Sequence, residues 1–297
     1  MSFTIATSLG DALTALAAGA RPVAGGSDLV VGARHGKAPL PDDLVAIDRI
    51  AELRHITETA DGVTIGALAT HHEVETHPLL TTVYAGLADA SALVGSPATR
   101  NVGTIGGNLM NASPAMDTGA PLCALGAEVE LQSVRGTRRF PLKDLWTGPG
   151  RTQAAADELC VAVHVPRPAG RSGSAYLRLE YRRAMEIAVV GAAAAVNLDD
   201  DGNVTALSIA LSAVAPTILF GRAQGLTAAS VEDAAAQAAA FATAHSAPIS
   251  DVRASEEYRR HTVAVMARRA VTAAAARAAG DAIPTPLNRT TGIGAAR

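Results

Sequence analysis

One stretch constrains this chain more than any other: Asn101-Val-Gly-Thr-Ile-Gly-Gly-Asn-Leu-Met-Asn-Ala-Ser-Pro-Ala-Met-Asp117. Gly103, Gly106 and Gly107 leave it almost without side-chain bulk, and Asn101, Thr104, Asn108, Asn111 and Ser113 add small polar groups. Glycine accepts positive φ and lets another molecule approach the main chain closely. Successive N–H groups in such a turn form a concavity that suits an anion. The stretch has no Lys, so it is not a Walker-type loop, and its glycine spacing does not give GxGxxG. Gly and Asn also punctuate ordinary turns, so composition alone leaves open a glycine turn in a sheet protein.

A second bulk-free turn, Ala24-Gly25-Gly26-Ser27-Asp28-Leu29, follows a short strand candidate at Arg21–Ala24 and precedes an apolar, helix-like run to Ala33. Strand, glycine turn and helix in that order are a recurrent way of offering backbone N–H groups to a phosphate. Two such turns suit a ligand with two phosphates, a dinucleotide, whereas one alone would suit a mononucleotide or a simple anion. Asp117, beyond the second turn, has two compatible uses: accepting hydrogen bonds from sugar hydroxyls, or capping the short helix that follows.

The remainder organises around these turns. At 297 residues, two domains are expected. Ser8 caps a helix over Leu9–Ala18, Leu44–Asp48 is a strand, and Ile56–Ala67 alternates around Asp61-Gly62 as a hairpin. Thr70 and Glu73 form a capping box, Pro78 restarts a helix, and Leu79–Val94 continues it. Pro121–Leu125 is a short helix, Arg135-Gly136 turns a second hairpin, and Leu159–Val165 is a strand stopped by Pro166. Pro166–Ser174 reads as a linker. Beyond it come two strands, Ala188–Leu198 and Val204–Val214, then alanine-rich helices over Ser230–Ala244 and Ser255–Ala279. The tail beyond about residue 281 is expected to be loosely held.

Several function classes lose support. A net charge of −3 gives no reason to expect nucleic acid. Cys123 and Cys160 lie in apolar surroundings without CxxC spacing, so they read as buried free thiols, too few for an iron–sulfur cluster. His71, His72 and His77 have no completing ligands and read as surface histidines. Arg178, Arg182 and Arg183 flank Glu180 and Glu186, which suits either ordinary ion pairs or a positive edge for an anionic ligand. GxSxG and HExxH are absent, which weakens hydrolase readings. The beginning of the chain has no basic, apolar leader pattern and no membrane-length run appears, so the cytoplasm is expected.

Taken in order, Ala24–Leu29, Thr104–Asp117, Leu145-Trp-Thr-Gly-Pro-Gly150 with Asp157-Glu158-Leu159, Arg182-Arg183-Ala-Met-Glu-Ile-Ala188 and Asp251–Arg260 closely resemble the FAD-binding medium subunit of molybdenum hydroxylases, the xanthine dehydrogenase and aerobic carbon monoxide dehydrogenase family. The resemblance implies an α+β protein. It would have a PCMH-type FAD-binding domain over 1–172, in subdomains of about 1–55 and 56–172, then a C-terminal domain over 173–297 of a small antiparallel sheet with helices. By the same resemblance, Val23, Ala24, Gly25, Gly26, Ser27, Asp28 and Leu29 cradle the pyrophosphate of a non-covalent FAD. Gly103, Thr104, Gly106, Gly107, Asn108 and Asn111 form the second wall, Asp117 lies near the ribose, Leu159 and Cys160 lie near the adenine, and Arg178 faces the flavin ring. Ile187 stands where some members carry an aromatic residue. No side chain is expected to be catalytic, and no metal is expected in this chain. The implied partners are a molybdopterin-binding large subunit and a 2Fe-2S small subunit, in a dimer of heterotrimers. A self-contained flavin oxidoreductase and a flavin-free assembly subunit are the alternatives.

Overall fold

The computed structural model describes residues 2–36, 39–223 and 230–288. Its N-terminal unit is a small parallel sheet. Strands β1 (Ser2–Ile5), β2 (Arg21–Val23) and β3 (Asp43–Ala46) line up in the order β1-β3-β2. Between them run α1 (Leu9–Ala17) and α2 (Leu29–Arg34). The Ser8 hydroxyl accepts the Asp11 N–H at the start of α1, and Gly19 (φ +98°) turns the chain out of it. Ala12, Leu13 and Leu16 of α1 pack with Val45, Ile47 and Leu53, and also with Leu68, Leu159 and Val161 of the next unit. That shared core fixes the first glycine turn relative to the second.

The middle unit is an antiparallel sheet in the order β4-β5-β10-β6-β7. Its strands are β4 (Ile56–Thr59), β5 (Gly62–Gly66), β6 (Glu128–Ser133), β7 (Gly136–Pro141) and β10 (Leu159–Pro166), with β8 (Trp146–Gly148) and β9 (Arg151–Thr152) as a side ribbon. β6 alternates half-buried and buried residues as a one-sided strand should. Val63, Ile65, Val129, Leu131 and Val163 point into the core. On the polar face Glu130 pairs with His164 Nε2 (2.7 Å), whose Nδ1 meets the Thr64 hydroxyl.

Six helices of this unit, all in the 71–124 segment, are α3 (His71–Thr76), α4 (Pro78–Thr82), α5 (Ala85–Ser91), α6 (Pro97–Arg100), α7 (Ile105–Met110) and α8 (Gly119–Ala124). The Thr70–Glu73 capping box is formed at α3. The expected continuous helix over Leu79–Val94 is broken instead at Tyr84 (φ −117°, ψ 39°). Tyr84 is buried there, and the redirected α5 brings Gly86 so close to Ala175 that a Cβ would stand 3.0 Å from its backbone nitrogen. Tertiary packing outweighs helix propensity at this point.

The C-terminal unit is an antiparallel meander of β11 (Arg171–Leu179), β12 (Val190–Leu198), β13 (Val204–Ser212) and β14 (Leu219–Ala223), with α9 (Val231–His245) and α10 (Glu256–Ala279). Its sheet is covered on both sides. Ala192, Ala194 and Val196 face Val263, Ala267, Ala270 and Ala274 from the helices. Tyr176, Ala193 and Ala210 join the core of the middle unit. Burial on both faces explains why β12 reads Val-Gly-Ala-Ala-Ala-Ala-Val without polar alternation. Gly173 allows the closest approach, since a Cβ there would lie 2.3 Å from the Ala274 carbonyl oxygen.

β1, β8, β9, β11 and β14 lie outside the strands expected from sequence, and the expected linker already enters β11 at Arg171. The tail also differs from expectation. Leu287 is buried and donates its N–H to Asp89, and Asn288 bonds both backbone groups of Arg178. The rest of that tail, from residue 289, lies outside the described residues. Among the described residues no helix is long and apolar enough to cross a membrane.

Candidate functional site: a main-chain cradle

The two glycine turns touch. A Cβ on Gly25 would stand 1.8 Å from the Val102 carbonyl oxygen and 3.2 Å from the Gly103 nitrogen. No side chain other than hydrogen fits there. Asn111 Nδ2 donates to Asp28 Oδ1 across the gap (3.2 Å), tying the far ends of the two turns. Among the described residues no hydrogen bond takes up the N–H groups of Gly25, Gly26 or Ser27. Gly26 has φ +67°, so this turn is a short nest of successive unpaired amides.

The second turn is built differently. Gly103, Ile105, Gly106 and Gly107 donate their N–H groups to Thr99 O, Ala69 O, Ala67 O and Thr104 Oγ1. It therefore offers a smooth wall rather than a second nest of free amides. The reason is close packing on the 67–71 segment. A Cβ on Gly106 would meet the Ala67 carbonyl oxygen at 2.8 Å, and His71 N–H donates to Gly103 O. Thr104 caps α7 by accepting from Gly107 N–H. The Asn108 carbonyl oxygen accepts from the Thr118 hydroxyl (2.7 Å), which fixes its amide orientation.

His71 corrects the surface-histidine expectation: it is only 2% exposed and lies under Gly103. Burial, with the Arg100 guanidinium adding repulsion, lowers its pKa to about 4, so the ring is neutral. Its Nδ1 has no partner among the described residues. Arg100 is itself buried and donates to Glu75 (3.0 Å) and to the Val94 carbonyl. In the sequence, only Thr70's capping box on a short helix pointed to this support.

Four residues expected at the ligand have buried side chains. Leu159 lies in the core shared with the N-terminal unit and Cys160 in the core of the middle unit, so neither side chain faces an open cleft. Burial pushes the Cys160 thiol up to about 12. Asp117 and Arg178 form a buried ion pair (2.8 Å) at the junction with the C-terminal sheet. The Arg178 side chain has 0% exposure, with Glu180 as its second carboxylate partner (2.5 Å). The Tyr176 hydroxyl donates to Asp117 Oδ1 (2.7 Å). Burial raises the Asp117 pKa, against the pull of Arg178 and the Tyr176 hydrogen bond. Tyr176 and Thr118 were not singled out in the sequence, and no local signal marks them. The loop after β11 keeps Tyr181, Met185 and Ile187 exposed, with Arg182 paired to Glu186.

Val23, Ala24 and Leu29 flank the first turn, half-buried. Gly25–Asp28 together with Gly103, Thr104, Gly106, Gly107, Asn108 and Asn111 are thus brought to one place. The combination offers free amides with no Lys or Arg in either turn, and Asp28 is its one carboxylate. Free amides of this kind suit an anionic group.

Comparison with known proteins identifies the family. Residues 1–168 match the family model described as the FAD binding domain in molybdopterin dehydrogenase, and residues 175–274 match the CO dehydrogenase flavoprotein C-terminal domain. The nicotinate dehydrogenase FAD-subunit of Eubacterium barkeri is 39% identical over 183 residues, 61% of this chain and 62% of that subunit, just under two thirds of its length. A putative xanthine dehydrogenase FAD-binding subunit of Escherichia coli is 33% identical over 286 residues, 94% of this chain and 97% of that subunit. Among solved structures, a chain of the carbon monoxide dehydrogenase of Hydrogenophaga pseudoflava, in a form lacking the Mo-pyranopterin moiety, matches with a TM-score of 0.87 and 32% identity. The match covers 93% of this chain and 98% of that one.

Proposed function

This chain belongs to the FAD-binding medium-subunit family of xanthine and carbon monoxide dehydrogenases, and on that footing we propose that its cradle grips the diphosphate of FAD in a molybdenum-containing hydroxylase. The observation that carries the reading is the contact of the two bends, with unpaired amides at Gly25, Gly26 and Ser27 on one side and the glycine wall on the other. Those amides would hold phosphate oxygens, and the amides of Asn108 and Asn111 would orient the groups beside them. Only the main chain of Leu159 and Cys160 is left to meet the adenine end.

When bound, FAD supplies a ring that accepts electrons singly and releases them in pairs. The chain's own part is to bind and orient. None of its side chains at the cradle is placed as an acid or base, and the neutral His71 adds no charge beneath the diphosphate. We place it beside a molybdopterin-binding large subunit and a 2Fe-2S small subunit, in a cytoplasmic dimer of heterotrimers. The substrate is oxidised in the large subunit, and this chain passes the electrons to an external acceptor. Two unpaired thiols are in keeping with a reducing compartment. This reading divides the chain near residue 172.

The test is a titration of the purified chain with FAD, followed by loss of flavin fluorescence. Saturation at one FAD per chain is expected, with far weaker binding of FMN, which lacks the diphosphate. A chain that takes up neither, or that holds FMN as tightly as FAD, refutes the assigned cradle.

A further inference from the structure

We infer that Arg178 is a positioning residue for the cofactor cradle, clamping the 103–111 segment at Gly103 and Asn108 from the neighbouring C-terminal sheet. The inference rests on the FAD reading of the cradle.

Two arms leave the Arg178 guanidinium. Through the first, Nη1 donates to Asp117 Oδ2 (2.8 Å), which also receives the Tyr176 hydroxyl on its other oxygen. The next residue, Thr118, donates its hydroxyl to Asn108 Oδ1 (2.7 Å), inside the cradle. Through the second, Nη1 donates to the Glu186 carbonyl (3.2 Å). Its neighbour Met185, held at φ +53°, donates its N–H to Gly95 O (3.0 Å) and accepts the Thr99 hydroxyl at sulfur (3.9 Å). Thr99 O in turn receives the Gly103 N–H (2.7 Å), where the cradle begins. One guanidinium thus reaches Gly103 from one side and Asn108 from the other.

The same geometry removes Arg178 from direct contact with a ligand. Its side chain has no exposed surface. Nε and Nη2 are both spent on Glu180, at 2.8 and 2.5 Å. Two carboxylates, Asp117 and Glu180, face one guanidinium, so the cluster has no surplus positive charge to offer a reduced, anionic flavin. Asn288 closes on the backbone N–H and carbonyl of Arg178 and holds the strand itself in register. What the group supplies is geometry. A buried, multiply bonded arginine is a rigid fork, and the segment it holds has little side-chain bulk with which to fix itself.

Two variants of the full chain test this. Thr118→Val removes only the hydroxyl that reaches Asn108, and Arg178→Met removes the fork. FAD affinity is measured well below each variant's melting temperature, so that lost stability does not count as lost affinity. Thr118→Val is expected to weaken FAD about tenfold, the equivalent of one hydrogen bond. Arg178→Met is expected to weaken it on the order of a hundredfold. The double variant should lose less than the product of the two, because both act along one path. The absorption maxima of the bound flavin should stay as in the wild type. Faster hydrogen exchange at the amides of 103–111 in the flavin-free variants is the second readout, and it stands even where the wild-type chain binds no FAD. Should Arg178→Met not fold, Thr118→Val carries both measurements. Wild-type affinity or wild-type exchange in Thr118→Val overturns the clamp. So do strictly multiplicative effects, or a shifted flavin spectrum in Arg178→Met, which would return that residue to the ring.

Discussion

The cradle and the seam between the middle and C-terminal units solve opposite problems. At the cradle, specificity comes from missing atoms: Gly25 is exposed, carries no side chain and leaves its amide unpaired. At the seam, it comes from buried charge. Asp89 is 0% exposed and receives Arg277 Nη1 and Nη2 (2.6 and 3.0 Å) and the N–H groups of Tyr176 and Leu287. The Asp117–Arg178 pair lies at the same junction. A binding surface keeps its donors free for something that arrives later, whereas a docking surface must match its charges at once, because unmatched buried charge is costly. Burial raises the Asp89 pKa, against the pull of Arg277 and of the Leu287 and Tyr176 N–H groups.

The comparison breaks most readily at the seam. Arg277→Met leaves the Asp89 carboxylate buried and short of its counter-ion, and should cost about 3–5 kcal/mol of unfolding free energy. Denaturant titration checks it. A companion Asp89→Asn change should recover part of that loss, and a single-variant loss under about 1 kcal/mol would make the seam an ordinary surface pair.

At the cradle the expected effect reaches binding as well as stability. Gly25→Ala puts a methyl group into the Val102 carbonyl and forces the two bends apart. Overpacking of this kind costs about 1–3 kcal/mol, and the flavin-free fold already bears it. The melting temperature of the flavin-free chain should fall, and FAD affinity should drop by up to about a hundredfold. Equal affinity in this variant would mean that the bends are not the grip.

His71 sharpens the contrast through pH. The folded chain holds it neutral down to about pH 4, whereas the unfolded chain protonates it below about 6.5. Stability from this group is therefore complete above pH 6.5 and is lost as pH falls towards 4, by about 2–3 kcal/mol. In His71→Asn that part of the slope should vanish, while the part due to the carboxylates remains. Melting curves at pH 7 and pH 4.5 for both proteins decide it, and parallel slopes would show that the ring is accessible to protons in the fold.

Legibility follows the same division. The cradle's two turns are short stretches whose glycines, Asn108 and Asn111 signal main-chain exposure without reference to anything distant. The capping box at Thr70, the hairpins at Gly62 and Gly136 and the long helix ending at Gly280 are local for the same reason. Asp117 and Arg178 were named from their neighbourhoods in the chain, but their pairing across 61 residues was not visible there. Asp89 and Arg277 are separated by 188 residues and stand in alanine-rich helices that give no hint of a partner. β12 is covered on both faces, and its run without polar alternation does not say by which elements.

By itself, then, the amino-acid sequence determined where the backbone is bare, where helices and hairpins begin and end, and which family of cofactor-binding chains this one resembles. The tertiary structure alone decided that one glycine turn keeps its amides free while the other spends them on packing, that His71 is buried and neutral, and that Arg178 is buried against Asp117. The reason is range. Propensity, capping and turn chemistry act over a few residues, while desolvation and charge pairing depend on whatever the rest of the chain brings alongside.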